Sequence, residues 1–444
     1  MRLPPGPQSR IPFRFLRAMQ RDPLGFLSQL AREYGDAAYF RIGRQPVYVF
    51  AHPDHVRDVL VTKGRSFMKG LALQRTKIVL GEGLLTSEGE LHRRQRRLVL
   101  PAFHHERIRH YGEVMVEYAL RTRERWRDGQ ALDMSHEMSR LTLAVVAKTL
   151  FDANVDDEAD EIGGALTEIM EMFPLLLTPF AEILVRLPLP RTIRFRGALA
   201  RLDRTIYALI AERRASGEDR GDLLSMLLVA QDAESGGEVM SDLQVRDEAM
   251  TLFLAGHETT ANALAWTFYL LAQNRDAEGR MHEELEEVLR GGAPTPADYP
   301  RLKYTEMVLA ESMRLFPPAW GIGRLSTEEV EIAGYTLPPK SLALLAQWVT
   351  HRDPRWFPDP LRFDPMRFTD EAKASRPRFA YFPFGGGTRI CIGEGFAWME
   401  GVLLLATIAQ KWRFETAGTH PVEPLPLITL RAKGGIPMTA VSRR

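Results

Sequence analysis

The sequence predicts a mainly helical protein with small β-sheets, in one large domain over residues 1–444. Three observations support this α+β fold class. Long stretches repeat apolar residues at helical spacing, and β-type segments are short and concentrate near residues 37–50 and 330–350. No Gly/Ser/Pro-rich linker, internal repeat or low-complexity run divides the chain. With 45% apolar and 26% charged residues, the composition is that of an ordinary globular enzyme.

The predicted elements have signals at their ends. A helix begins at Asp22-Pro23 and stops at Gly35, because proline suits a first helical turn and glycine suits a helix end. Two strands, Ala37–Ile42 and Val47–Phe50, follow at once. Further helices are predicted at about 88–100, 106–127, 134–151, 192–215, 241–273, 276–289, 301–315 and 394–411, forming a helical bundle over about 88–315 and 394–411, and strand-like pieces at 330–337 and 341–349.

Charge and hydropathy exclude several classes of protein. A net charge of +1 gives no global basic field for nucleic acid. The N-terminus has no apolar signal core, and no stretch offers the ~18 uninterrupted apolar residues of a membrane span. We therefore expect a cytoplasmic, soluble protein.

The single cysteine, Cys391, lies in the segment Phe384–Gly393, which reads FGGGTRICIG. One cysteine cannot form an internal disulfide or a multi-cysteine zinc site. A free cysteine is usually a small apolar residue buried in the core. This one follows three glycines and Arg389, however, just before a helix predicted to begin at about Glu394. Glycines allow close backbone approach to a flat ligand, and a helix N-terminus stabilises a thiolate. An axial thiolate is one way to hold haem iron.

This segment resembles, residue for residue, the FxxGxRxCxG signature of the cytochrome P450 haem-thiolate monooxygenases. The resemblance extends from about Leu3 to about Met438 and implies a single P450 haem domain. It implies haem b as cofactor and Cys391 as the axial iron ligand. Phe384, Arg389 and Gly393 would belong to the cofactor-binding loop.

A second motif, Ala255-Gly256-His257-Glu258-Thr259-Thr260, lies within the longest predicted helix. His257-Glu258 begins an HExxH zinc motif, but Ala261 stands where the second histidine is needed. An ordinary buried helix would have to accommodate a glycine and a carboxylate. Thr259 can bond the Ala255 carbonyl and open the helix locally.

The motif is similar to the family segment (A/G)Gx(D/E)T on the oxygen-binding side of the haem. The resemblance implies that Ala255 and Gly256 leave space there. It also implies that Thr259 donates a hydrogen bond to the bound oxygen and that Glu258 relays protons, both as catalytic residues.

The third motif is Glu311-Ser312-Met313-Arg314, in which Glu311 and Arg314 share a helix face. An isolated ExxR motif is weak evidence for a function, because surface helices contain many such pairs. Arg367 follows in the segment Phe363–Phe368. In the family, the corresponding Glu, Arg and later Arg bond one another and have a structural role.

Haem propionates need cations. The resemblance assigns this part to Arg389, Arg324, His92 and Arg96, the last two one turn apart on a helix. The alternative for residues 92–97 is a solvated basic face, which could also steer an acidic redox protein.

The substrate pocket is inferred by position in the family, from apolar segments near residues 67–85, 169–189, 252–259, 319–322 and 427–429. Its predicted contacts are Leu73, Phe173, Phe253, Trp320, Ile322 and Ile428. Such a lining suits a fatty acid, terpenoid, steroid or macrolide-like molecule. The apolar stretch 172–189 is equally consistent with helix packing or a membrane-touching lid.

The resemblance implies a monooxygenase that uses O2 and two electrons to hydroxylate or epoxidise this substrate. A separate ferredoxin- or flavodoxin-type donor with its reductase would supply the electrons, and we expect a monomer. A peroxygenase or an isomerase on the same fold is the alternative, and a non-enzymatic haem sensor is a further one. The intact Glu258–Thr259 pair favours the monooxygenase.

Overall fold

The computed structural model describes residues 2–9, 13–153, 159–176, 181–229, 231–232, 238–418 and 420–443. The chain divides into two compact units, Met1–Arg75 with Ala310–Cys391, and Thr76–Leu309 with Ile392–Arg444. Helices dominate and the sheets are small, which confirms the predicted fold class. Among the described residues, no helix combines the length and the apolar character that a membrane span requires.

The helices are α1 (Arg14–Arg21), α2 (Pro23–Tyr34), α3 (Pro53–Arg57), α4 (Leu71–Arg75), α5 (Lys77–Leu80), α6 (Gly89–Val99), α7 (His105–Glu124), α8 (Met134–Phe151), α9 (Ala159–Glu171), α10 (Phe173–Leu176), α11 (Ala181–Arg186), α12 (Pro190–Ser216), α13 (Leu223–Val229), α14 (Asp242–Gln273), α15 (Arg275–Leu289), α16 (Lys303–Leu315), α17 (Gln347–Thr350), α18 (Asp370–Ala374) and α19 (Glu394–Ala409). The strands are β1 (Ala37–Ile42), β2 (Gln45–Phe50), β3 (Phe67–Lys69), β4 (Ala131–Asp133), β5 (Gln231–Asp232), β6 (Glu238–Val239), β7 (Ile322–Ser326), β8 (Val330–Ile332), β9 (Tyr335–Leu337), β10 (Leu342–Leu345), β11 (Trp412–Thr416), β12 (Pro424–Pro426), β13 (Leu430–Ala432) and β14 (Pro437–Ser442).

The first unit is built on a five-stranded sheet in the order β1-β2-β10-β7-β3. Only the β2–β10 pair is parallel; the other neighbours are antiparallel. One apolar cluster of this unit contains Tyr48 and Phe50, and a second contains Phe40 and Val49. Because successive side chains of a strand point to opposite faces, the sheet is covered on both sides.

The second unit is built around α14, which packs against α8, α12 and α19. Nearly every residue of α14 from Val245 to Leu271 is buried, so the helix has no continuous polar face. Three small antiparallel sheets belong to the described part of this unit. One has the order β11-β14-β4, and the others are the pairs β12–β13 and β5–β6.

Most predicted boundaries agree with the structure within two or three residues, and α8 agrees at both ends. The strand predicted at 341–349 is wrong in its second half, where residues 347–350 form the helical turn α17. Two side chains hold this turn: Gln347 donates to the Phe382 carbonyl at 2.6 Å, and Thr350 to the Ala51 carbonyl at 3.0 Å. The assignment of the whole chain to a single haem domain stays a prediction.

Candidate functional site

The cysteine-bearing loop belongs to the first unit. Cys391 is exposed, and its backbone N–H donates to the Phe384 carbonyl at 3.0 Å. Gly385 and Gly387 adopt φ values of +76° and +68°, which favour glycine. Helix α19 begins three residues after the cysteine, with Gly393 as its N-cap.

The glycines of this loop are also required by contacts within the protein. A Cβ on Gly386 would lie 2.7 Å from Cε1 of Phe379, and one on Gly387 would lie 2.0 Å from the Leu60 carbonyl oxygen. The sequence suggested that these glycines admit a flat ligand. The structure gives two of them a second reason, because the loop packs directly on neighbouring protein atoms.

Three cationic side chains of the first unit belong to the predicted anion-binding set or extend it. Arg389 is half-buried and donates to the Gly64 carbonyl at 3.3 Å. Arg324 is buried on β7, directly opposite the equally buried Lys69 of β3 in the strand register. The family resemblance assigns Arg324 to the propionates, and Lys69 is a second buried cation on the neighbouring strand. Sequence reasoning missed Lys69, because a lone lysine between apolar residues carries no local signal.

The structure brings Glu311, Arg314 and Arg367 together, as the motifs predicted. Arg314 donates to both Glu311 oxygens, with Nε–Oε2 at 2.7 Å and Nη2–Oε1 at 2.8 Å. Arg367 Nε lies 3.4 Å from Glu311 Oε1, and the Asp364 N–H donates to that oxygen at 2.8 Å. Burial raises the pKa of Glu311, while Arg314 is the strongest influence against it.

Arg314 also fastens the following loop. Its Nη1 donates to the carbonyls of His351 at 2.9 Å and Pro360 at 2.7 Å. Its guanidinium lies over the Phe357 ring, 5.0 Å from the centroid. A fully buried arginine is tolerated because these partners replace water.

In the second unit, α14 presents one accessible face. From Val245 to Leu271, every residue is buried except Ala255, Gly256 and Thr259, which lie at positions i, i+1 and i+4 of the helix. Thr259 Oγ1 donates to the Ala255 carbonyl at 2.8 Å, which confirms the predicted bond. A Cβ on Gly256 would lie 3.1 Å from Val146 of α8, so the glycine also lets α8 approach.

Glu258 points to a different side of α14, toward the β12–β13 hairpin. Its Oε1 accepts hydrogen bonds from Thr429 Oγ1 at 2.7 Å and Arg431 Nε at 2.6 Å. Asn262, one turn along α14, donates to the same Thr429 hydroxyl at 3.2 Å. The carboxylate is buried, whereas Arg431 reaches the surface. Sequence reasoning did not identify Thr429 and Arg431 as partners of the acid.

His257 has a different environment from the acid beside it. Its Nε2 lies 2.9 Å from Ser139 Oγ of α8, and its carbonyl accepts from Thr142 at 3.0 Å. Burial lowers the pKa of His257 to about 4, so the ring is neutral at pH 7. The imidazole therefore serves the α8–α14 contact.

His92 and Arg96 lie one turn apart on α6, the first buried and the second half-buried. The adjacent Gln95 donates to the Glu82 carbonyl at 2.6 Å and anchors the helix to the preceding loop. Arg93 and Arg97 are exposed, as a solvated basic face requires. The structure thus separates the two faces of the arginine-rich run that the sequence left open.

The predicted substrate contacts have varied environments within their units. Phe253 packs edge-on against Phe151, with centroids 5.9 Å apart, and both line an apolar cavity of about 20 Å³. Trp320 and Ile322 pack against the two core clusters of the first unit. Of the other contacts, Phe173 is buried, while Leu73 and Ile428 are half-buried. Two apolar residues of the predicted lid, Leu177 and Phe180, lie outside the described residues.

The sequence profile of the family described as Cytochrome P450 matches residues 4–436. The chain belongs to the cytochrome P450 family. Its relatives include cyclooctatin synthase of Streptomyces melanosporofaciens, 44% identical over 93% of this chain and 90% of that protein. Cyclooctat-9-en-7-ol 5-monooxygenase of the same organism is 38% identical over 93% of this chain and 88% of that protein. Pentalenene oxygenase of Streptomyces avermitilis is 36% identical over 93% of this chain and 91% of that protein.

As a P450, the chain is an oxidoreductase of the monooxygenase class, and its cofactor is haem b. The described residues fit this cofactor. The first unit offers an exposed thiol on a glycine loop. It also offers two buried cations, Lys69 and Arg324, which lie opposite each other on β3 and β7. The second unit offers the accessible small-residue face at Ala255 and Gly256.

Proposed function

We propose that this P450 hydroxylates or epoxidises a polycyclic terpenoid. Three relatives that each match 93% of the chain support this substrate class, because two are named for oxygenating cyclooctat-9-en-7-ol or pentalenene. The apolar predicted contacts, such as Phe173 and Phe253, suit such a hydrocarbon skeleton. The observation that carries the proposed chemistry is the accessible face of α14 at Ala255, Gly256 and Thr259, within a stretch from Val245 to Leu271 that is otherwise buried.

The proposed cofactor site uses residues of this chain in separate roles. Cys391 is the thiolate ligand of the iron, and Arg389, Arg324, His92 and Arg96 bind the propionates. We add Lys69 to this set, because it is buried opposite Arg324. Glu311, Arg314 and Arg367 hold the loop that follows α16 and have no chemical step of their own.

Haem b, when bound, supplies the iron centre that activates dioxygen. One oxygen atom enters the substrate and the other leaves as water, which consumes two electrons and two protons. The electrons come from a separate ferredoxin- or flavodoxin-type protein with its reductase.

Thr259 places its hydroxyl oxygen at the accessible face of α14, where the bond to the Ala255 carbonyl fixes its position. To donate its one proton elsewhere, the hydroxyl has to turn away from that carbonyl. Glu258 moves protons from solvent toward that face. Its carboxylate is buried, but its partner Arg431 is partly exposed, so Arg431 connects the acid to the surface at the hairpin end. To deliver a proton, the carboxyl group has to leave Arg431 and Thr429.

The test of substrate class uses the haem-loaded protein and the shift of its main absorption band. Polycyclic terpene hydrocarbons and their monohydroxylated derivatives are compared with a fatty acid, a steroid and a macrolide. A terpene that shifts the band is then oxidised under labelled dioxygen, and we expect one labelled oxygen atom in the product. Tighter binding of another class contradicts the terpenoid proposal, and label acquired only from hydrogen peroxide identifies a peroxygenase.

Two variants test the site. Cys391→Ser should lose the absorption band that thiolate-ligated haem shows with carbon monoxide after reduction. Thr259→Ala should keep haem but form less product per reduced cofactor consumed. Thr267→Ala is the matched control, because Thr267 makes the same type of bond, to the Ala263 carbonyl at 2.6 Å. Equal coupling in both threonine variants contradicts the role of Thr259.

A further inference from the structure

Two adjoining cavities lie beside α9 and α12 in the second unit. The inner one is the apolar cavity of about 20 Å³ that Phe151 and Phe253 line. The outer one lies between α9 and α12, has a volume of about 210 Å³ and reaches the exposed surface. Ile162, Leu202 and Thr205 line both cavities, so these three side chains, which we call the partition, separate one cavity from the other.

The inner cavity lies next to the accessible face of α14. Phe253 precedes Gly256 by three positions, so the two residues are neighbours on one side of the helix. Gly256 belongs to the accessible face, together with Ala255 and Thr259. A path from the surface through the partition would therefore end beside that face.

A pair of glycines in α9 directly follows Ile162 of the partition. A Cβ on Gly163 or on Gly164 would meet nothing within 4 Å, and neither glycine has a positive φ. Close packing and left-handed backbone therefore do not require glycine here. Because glycine is one of the least favourable residues in a helix interior, the pair weakens α9 beside the partition without any gain in packing.

The two sides of this pair are held unequally. After it, Glu168 accepts a hydrogen bond from Arg201 of α12 at 3.1 Å, and four further side chains are buried: Ala165, Leu166, Ile169 and Met170. Before it, the described side chains of the first turn are the buried Ile162 and the exposed Glu161, which lies 4.0 Å from the same arginine. An exposed ion pair at that distance contributes little. A bend at the glycines can therefore move Ile162 while the rest of α9 stays on α12.

A single helical glycine would not support this reasoning. Gly279 of α15 also has nothing within 4 Å of an added Cβ, which shows that a helix of this protein tolerates one such residue. In α9 there are two in succession, and they adjoin the wall between two cavities. A rigid binding site in the outer cavity would not explain them, because such a site needs a firm wall.

We propose that the first turn of α9 bends at Gly163 and Gly164 and carries Ile162 out of the partition. The bend opens a side passage from the surface to the accessible face of α14, through which small, mostly apolar molecules exchange with the haem site. This inference does not depend on the terpenoid proposal, because any small ligand of the haem iron reports on the passage.

The experiment follows the binding of 4-phenylimidazole to the haem-loaded protein by stopped-flow absorption. A passage sets how fast a ligand enters and leaves, but not how tightly it binds. In the variant Gly163→Ala with Gly164→Ala, association and dissociation should slow by the same factor, roughly fivefold or more, and the Kd should not change. The factor follows from the preference of a helix interior for alanine, which is about fivefold for each glycine replaced. The midpoint of thermal unfolding should rise by about 1–3 °C.

Matched controls separate a passage from general stiffness and from lost packing. Gly279→Ala should also stabilise its helix but leave both rates unchanged. Ile162→Ala removes part of the partition and should raise both rates. Ile169→Ala makes the same change at a buried position of α9 that lines neither cavity, so it should leave the rates as they are.

The proposal is overturned if the double alanine variant exchanges the ligand at wild-type rates, or if Gly279→Ala slows exchange as much. It is also overturned if the Kd changes together with only one of the two rates, because α9 would then shape the ligand site itself. Equal acceleration by Ile162→Ala and Ile169→Ala would likewise contradict a specific passage.

Discussion

Two buried glutamates, Glu311 in the first unit and Glu258 in the second, are paired with arginine in different ways. Glu311 uses both oxygens, and its partner Arg314 is as fully buried as the acid. Glu258 accepts both of its bonds on Oε1, and Arg431 reaches the surface. The first arrangement fixes a carboxylate by both oxygens inside the protein, whereas the second holds a buried carboxylate by one oxygen, through an arginine that reaches the surface.

A third buried glutamate sharpens the contrast. Glu400 of α19 is fully buried, and the Thr260 hydroxyl approaches it without the geometry of an ordinary hydrogen bond. Burial raises the pKa of Glu400 to about 8, so the group is mostly protonated at pH 7. Glu258 and Glu311 each bond an arginine, whereas burial raises the pKa of Glu400, which has no arginine partner among the described residues.

The largest effect is expected at the fully buried pair. Glu311→Gln leaves Arg314 buried without a counter-charge, which should lower the free energy of unfolding by ~3–5 kcal/mol. Urea denaturation and haem content measure this loss. Glu331→Gln is the control, because its side chain is exposed on β8 of the same unit. A Glu311→Gln protein as stable and as haem-loaded as the control would contradict a locked structural role.

The second prediction concerns Glu400 and pH. Its pKa rises from 4.5 in the unfolded chain to about 8 in the folded one, so the folded state binds the proton more tightly. This stabilisation is complete below pH 4.5 and is lost as pH rises through 8, at up to about 1.4 kcal/mol per pH unit.

Glu400→Gln cannot ionise, so its unfolding free energy should lack that slope. At pH 7 it should exceed that of the wild type by up to ~3 kcal/mol. Infrared spectra should show a carboxylic-acid carbonyl band in the wild type that the variant lacks. If the wild type shows neither the band nor the slope, Glu400 is ionised and the contrast with Glu311 disappears.

The sequence predicted those parts of the site that depend on short spacing. The Glu311–Arg314 pair follows from positions three apart, and the Thr259–Ala255 bond from positions four apart; both are present. The partners of Glu258 could not be predicted, because Thr429 and Arg431 lie 171 and 173 positions away. Only the fold brings them together.

The same distinction applies to the fold. Helices with clear caps were predicted closely: Asp22 and Gly35 bound α2 as expected. The hairpin β12–β13 was not predicted as strands, because three-residue strands show almost no periodicity. Lys69 was not predicted for a related reason, because only the strand register places it opposite Arg324.

The third prediction tests the partner at the surface. Arg431→Gln removes a charge-assisted bond to the buried Glu258 and should lower the unfolding free energy by about 2 kcal/mol. Arg413→Gln is the control, because Arg413 pairs with Glu415 at 2.9 Å on the surface and should cost under ~1 kcal/mol. Equal losses would mean that the Glu258 pair is an ordinary surface ion pair.

The smallest effect is expected at Thr429. Thr429→Val keeps the shape of the side chain but removes the hydroxyl that donates to Glu258 at 2.7 Å, so we expect a loss of about 1 kcal/mol. A double-mutant cycle with Glu258→Gln separates this bond from general packing. If the hydroxyl holds the carboxylate, Thr429→Val should cost less once Glu258 is replaced, because the neutral amide accepts a weaker bond. Full additivity would show that the hairpin packs beside Glu258 without holding it, and the carboxylate would then depend on Arg431 alone.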